Sequence, residues 1–159
     1  MEQEIPRRTV VSPDWAFVYF DGACRPARGG GLATYGFTVD TGGLHYEDRG
    51  AAVAPGSANA TNNVAEYVAA IRALEWLHGR RFSGMVVVRG DSQLVVRQMK
   101  GEYKVRAEHL KTYQRQLLEL VRRFQQVEFE WVRREENLRA DALSKRALGE
   151  LSVQAARWK

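Results

Sequence analysis

The order of sequence patterns predicts an α/β fold in which five strands form one mixed sheet with helices on both faces. Three observations carry that prediction. A nearly unbroken apolar run rich in aromatics occupies 15–20, two further strand-like segments flank a glycine turn, and beyond residue 60 segments of helical period alternate with short apolar strands.

Trp15-Ala16-Phe17-Val18-Tyr19-Phe20 has no polar side, the pattern of a strand covered on both faces, so it belongs in the middle of the sheet. The Gly-rich stretch 25–31 turns the chain, and 34–39 with 44–53 form a hairpin around Thr41-Gly42-Gly43. Residues 55–60 are small and polar, and Thr61 or Asn62 caps the element that follows. Val64, Val68, Ile71, Leu74 and Leu77 then recur at helical spacing, with Gly79 placed to stop the helix. Residues 85–88 make a short buried strand. Asp91 or Ser92 caps a helix through Leu94, Val95 and Met99 that ends near Gly101. A longer helix spans 107–124, residues 127–132 alternate as a half-buried strand, and the last helix starts near Asn137.

With 159 residues, 45% of them hydrophobic, the chain builds one compact core; the expectation is a loose lead-in at 1–13 and a single domain at 14–159. Lys and Arg number 24 against 19 Asp and Glu, and the pI is about 9.6, a balance that favours polyanionic partners, nucleic acid first among them. Cys24 is the only cysteine, which excludes an internal disulfide and a cysteine zinc cluster and fits a reducing, cytoplasmic compartment. No apolar run approaches the roughly 18 residues that span a bilayer, so no membrane partner is expected. Nothing marks a second interface, and a monomer is the default.

Four acidic residues stand in short polar phrases that abut a strand or open a helix. They are Phe20-Asp21-Gly22-Ala23-Cys24, Thr61-Asn62-Asn63-Val64-Ala65-Glu66, Gly90-Asp91-Ser92-Gln93 and Asn137-Leu138-Arg139-Ala140-Asp141. Singly, each carboxylate has a local explanation, as a turn residue at Asp21 or a first-turn helix carboxylate at Asp91 and Asp141. Jointly they suit one hard-cation site, because Mg²⁺ takes oxygen ligands and two ions need several carboxylates. Asp21 ends the central strand in this reading, and Asp91 ends its parallel neighbour, so both would face one crevice.

The four phrases, in this order, resemble the catalytic signature of type 1 ribonuclease H, over about 15–148. The ribonuclease H-like fold has the element order described above, and its members cut the RNA strand of RNA/DNA hybrids by two-metal-ion catalysis, leaving 5′-phosphate and 3′-hydroxyl ends. The resemblance implies two Mg²⁺ ions per site, with Mn²⁺ as a substitute. Asp21 would be shared between them, Glu66 and Asp91 would complete one site and Asp141 the other. It further implies that Asn62, Asn63 and Gln93, with the backbone around Gly22, Ala23 and Cys24, contact the RNA strand, amides being suited to 2′-hydroxyls that both donate and accept. Thr61 is a candidate for a DNA-strand phosphate, as are Lys104 and Arg106 within the basic group Arg97, Lys100, Lys104, Arg106 and Lys111. Lys145, one turn beyond Asp141, reads mainly as a solvated helix lysine.

Two departures mark this chain. Many bacterial members insert a basic handle where only 101–108 stands here, and many carry a histidine in the loop before the last helix. Residues 131–137 have none; Glu135 and Glu136, with Asn137 beside them, occupy that loop, while His45, His78 and His109 lie elsewhere. The pattern is similar to the archaeal-like subgroup without the handle, in which action on double-stranded RNA is an open question. The alternatives are a nuclease with a different duplex preference, a domain derived from a reverse transcriptase, or a catalytically silent nucleic-acid-binding module; loss of a carboxylate would favour the last, and all four are present.

Overall fold

The computed structural model describes residues 14–157; the expected lead-in at 1–13 lies outside them. Five strands, β1 (Trp15–Arg25), β2 (Leu32–Thr41), β3 (Leu44–Ala51), β4 (Met85–Gly90) and β5 (Gln126–Trp131), form one sheet in the order β3-β2-β1-β4-β5. The hairpin partners run antiparallel, and β4 and β5 run parallel to β1, so β1 is central and the sheet mixed. The helices are α1 (Asn62–Gly79), α2 (Gln93–Met99), α3 (Glu108–Val121) and α4 (Leu138–Arg157), with a 3-10 turn at Arg134–Glu136 before the last.

Strand pleating decides which side chains meet which helix. Ala16, Val18 and Phe20 point to one face, where all three are fully buried, and Val64, Val68, Ile71, Leu74 and Leu77 of α1 are buried against the same core. The α1 stripe expected from spacing is therefore the core stripe. It is wider than expected, because Tyr67, Ala69, Ala70 and Ala73 are also buried. On the other face α4 covers β2, β1 and β3.

Two strand expectations are corrected. Phe17 and Tyr19, on the α4 face, are only half-buried, with the Arg89 guanidinium 5.4 and 5.7 Å from their rings, so β1 is not fully covered on both sides. Asp21 also does not end β1. Pairing with β4 stops at Phe20↔Gly90, but pairing with β2 continues through Arg25↔Leu32, since the hairpin still supplies hydrogen-bond partners on that edge. The long helix is shorter than expected at its C-terminal end, stopping at Val121 rather than Phe124.

Candidate metal centre

Each helix start leaves N–H groups without partners in the helix, and here Thr61 Oγ1 accepts from Val64 N at 3.2 Å and Ser92 Oγ from Val95 N at 3.2 Å. The alternatives left open by sequence thus resolve to Thr61 and Ser92. Asn62, Asn63 and Asp91 keep their side chains out of capping.

Two close approaches bring the helices onto β1 around Asp21. A Cβ on Gly22 would lie 2.6 Å from Ala65 C and Glu66 N, so the first turn of α1 rests directly on the strand there. A Cβ on Gly36, the β2 partner of Asp21, would lie 2.5 Å from Ser144 N and 2.7 Å from Ala140 O, so α4 rests on the opposite face at the same level. Glycine is the residue that permits both contacts. Their consequence is that Glu66 arrives from one side of the sheet and Asp141 from the other.

Asp21, Glu66 and Asp91 each offer a carboxylate oxygen, and these oxygens all lie within 4.8 Å of one another. Asp141 lies near enough to Asp21 for each carboxyl to shift the other. These carboxylates face a crevice of about 640 Å³, whose wall also includes Asn62, Asn63, Arg134 and Lys145. Gly22, Ala23 and Cys24 line it too.

Burial first, then the Asp141 hydrogen bond and the charge of Asp91, push the Asp21 carboxyl up to about 7. Burial, then the charges of Asp21 and Asp91, push Glu66 well above the usual carboxylate range. Asp141 goes down: burial opposes its charge, but hydrogen bonding from Asp21 and from Lys145 prevails. Below about pH 7 a metal-free centre therefore favours the protonated form of Glu66 and Asp21, while Asp141 is held in its charged form. Glu66 Oε2 is enclosed without a hydrogen-bond partner among the described residues. An orphaned carboxylate oxygen amid two further carboxylates is a donor set that fits a hard divalent cation, which would neutralise the cluster and occupy that lone oxygen.

Lys145 is paired rather than simply solvated: its Nζ lies 3.0 Å from Asp141 Oδ2, and Arg134 Nη2 lies 3.8 Å from Asp141 Oδ1. Arg134 was not singled out from the sequence; the available signal was a basic side chain in the same short segment as Asp141. Ser144, also missed, is fully buried with its Oγ 3.4 Å from Asp21 Oδ2.

The remaining expected contacts fall in three groups. Asn62 and Asn63 line the crevice with side chains that bond to nothing else among the described residues. Gln93 opens α2 beside Ser92 and is exposed, while Thr61 is spent on its cap. The Cys24 Sγ lies 3.1 Å from both Pro26 O and Ala60 O, which share its one proton, and the residue lines the crevice. Lys104 and Arg106 are exposed beyond α2 and do not line the crevice. In the loop before α4, Glu136 accepts from Arg133 N at 3.2 Å, Glu135 is exposed outside the crevice wall, and Asn137 is buried against Asp91. His45 sits at the β3 edge between Asp40 and Glu47.

Residues 41–147 match the family model described as reverse transcriptase-like. The ribonuclease HI of Halobacterium salinarum is 37% identical across 87% of this chain and 68% of the relative. The bifunctional protein Rv2228c of Mycobacterium tuberculosis is 37% identical over 97 residues, and the matched part is 26% of that protein. Among solved structures, the N-terminal ribonuclease H domain of Rv2228c superposes with a TM-score of 0.78 at 32% identity, over 89% of this chain and 98% of that one. LC11-RNase H1, solved in complex with an RNA/DNA hybrid, gives 0.74 at 34% identity over 86% and 98%.

Proposed function

Because the chain belongs to the ribonuclease HI family, we propose that it is an endonuclease hydrolysing the RNA strand of RNA/DNA hybrids, with Mg²⁺ ions held by Asp21, Glu66, Asp91 and Asp141. One observation carries the reading: carboxylates from β1, α1 and the end of β4 converge within 4.8 Å in an open crevice, with α4 adding Asp141.

When bound, two such ions lower the pKa of an attacking water and stabilise the leaving 3′-oxygen, giving 5′-phosphate and 3′-hydroxyl ends. The protein's own residues do the rest. Asp21 and Glu66, whose burial raises their pKa in the metal-free site, would be the carboxylates that, in their anionic form, hold the cations. Lys145 and Arg134 hold Asp141 while the site is metal-free and stand at the crevice wall, where a bound phosphodiester would meet positive charge. Asn62 and Asn63 present uncommitted amides to the same crevice, groups that read a 2′-hydroxyl by donating and accepting. The net charge of +5 draws the duplex in without reading base order. A single thiol with no disulfide partner suits a reducing, cytoplasmic setting, and no helix among the described residues is long and apolar enough to cross a membrane.

The test is cleavage of matched duplexes with Mg²⁺ and with a chelator. RNA cut only in the RNA/DNA hybrid, and only with metal, is the expected result. Cleavage of double-stranded RNA at a similar rate would widen the substrate class, and tight hybrid binding with every strand intact would point to a silent binding module.

A further inference from the structure

We propose that Asn137 is a positioning residue of the metal centre, its side-chain amide holding the Asp91 carboxylate toward Asp21 and Glu66 and fixing the start of α4 to the same point. The inference rests on the metal-centre reading above. Asn137 is 1% exposed, and its Nδ2 lies 2.9 Å from Phe20 O and 3.3 Å from Asp91 Oδ1. Both partners only accept, so the amide nitrogen must face them, and its two N–H groups supply one to each. An apolar side chain supplies neither, a hydroxyl one, and a carboxylate would repel Asp91.

This orientation leaves Asn137 Oδ1 buried with no hydrogen-bond partner among the described residues. An enclosed carbonyl without a donor is a cost to the fold. Stability alone would be served as well by a residue with one donor for Phe20 O; the second N–H serves the carboxylate. Asp91 needs that support, because it follows the end of β4 and its oxygen must be kept within 4.8 Å of the oxygens of Asp21 and Glu66. Its backbone is secured separately, its carbonyl accepting from Trp131 Nε1 at 3.3 Å, so the side chain is the part left to swing.

The backbone of Asn137 completes the linkage. Its N–H donates to Arg134 O at 3.0 Å, and its carbonyl accepts from Asp141 N at 3.1 Å. One residue thereby touches Asp91, the strand at the residue before Asp21, and the helical turn that carries Asp141. Groups that orient ligands in this way typically change metal affinity by about 10- to 100-fold when removed.

Calorimetric titration of the metal-free full chain with Mn²⁺, beside the Mg²⁺ dependence of hybrid cleavage, tests the role. Asn137→Ala should bind Mn²⁺ at least about 10-fold more weakly. Its half-saturating Mg²⁺ should rise by a similar factor, its KM for hybrid should stay within about twofold, and excess Mg²⁺ should restore turnover. Asn137→Ser, which keeps one donor, should fall between, and it decides the matter by the same criteria if the alanine variant does not fold. Wild-type Mn²⁺ affinity in a folded variant, or a loss of turnover equal at every Mg²⁺ concentration, overturns the inference. A wild-type protein that binds no Mn²⁺ at all overturns the metal-centre reading itself, and this inference with it.

Discussion

Replacing Asp21 by Asn should stabilise the metal-free protein while abolishing its response to metal. Asp21 is 5% exposed, and its folded pKa of about 7 lies above the ordinary 3.8. Such a group binds its proton more tightly when folded, so the stability it contributes is complete below about pH 4 and is lost as pH climbs toward 7. At 1.36 kcal/mol per unit the full effect at neutral pH is about 4 kcal/mol. Asp21 shares its protons with Glu66 and Asp141, and side chains can relax apart, so about 2 kcal/mol is the working figure. For a chain of this size that is roughly 4–8 °C in Tm. The assay is thermal unfolding in a chelator from pH 5 to 8, wild type beside Asp21→Asn. Wild type should lose stability relative to the variant as pH rises. His45, held up by Glu47 and then Asp40, also loses stabilisation as pH rises past 6.5, but equally in both proteins. Adding Mn²⁺ at pH 8 should then stabilise wild type and leave the variant unmoved. A variant less stable than wild type in chelator at pH 8 would refute the electrostatic reasoning.

Three further outcomes follow from the same geometry. Gly22→Ala places a methyl 2.6 Å from the α1 backbone and should cost at least about 2 kcal/mol of stability in chemical denaturation, with metal binding lost as Glu66 moves away. Asn62→Ala and Asn63→Ala should each raise KM for hybrid about 3- to 10-fold while changing unfolding free energy by less than about 0.5 kcal/mol, because Thr61 is the cap; a large loss of stability would assign them a structural role instead. Arg139 first, then His45, holds Glu47 down to about 2, so that contribution is present above pH 4.5 and lost as pH falls from there toward 2; Arg139→Ala should remove it, a change of at most about 1 kcal/mol for a pair this exposed, seen in acid unfolding curves.

What the sequence made legible was what local pattern controls. The α1 stripe, the hairpin and the central place of β1 follow from residues near one another in the chain, and so does each cap to within two candidates, of which the structure uses Thr61 and Ser92. The convergence of Asp21, Glu66 and Asp91 was legible because each sits in a short phrase between recognisable elements. What escaped depends on contacts across the sheet. That β1 runs on to Arg25 is decided by its β2 partner, and that Lys145 and Arg134 meet Asp141 is decided by how the loop before α4 returns to the crevice. Nothing local to Gly36 says that α4 will rest on it. Asn137 was legible as the start of the last helix, but nothing local says that Phe20 O, 117 positions away, and Asp91 accept from its amide.

The most direct measurement is anomalous diffraction from crystals soaked in Mn²⁺. The account predicts a peak bounded by the carboxylates of Asp21, Glu66 and Asp91, with Lys145 and Arg134 drawn away from Asp141 if a second ion enters beside it. Crystals saturated with Mn²⁺ that show no peak among those three side chains, and Asp141 still paired to Lys145, would contradict it.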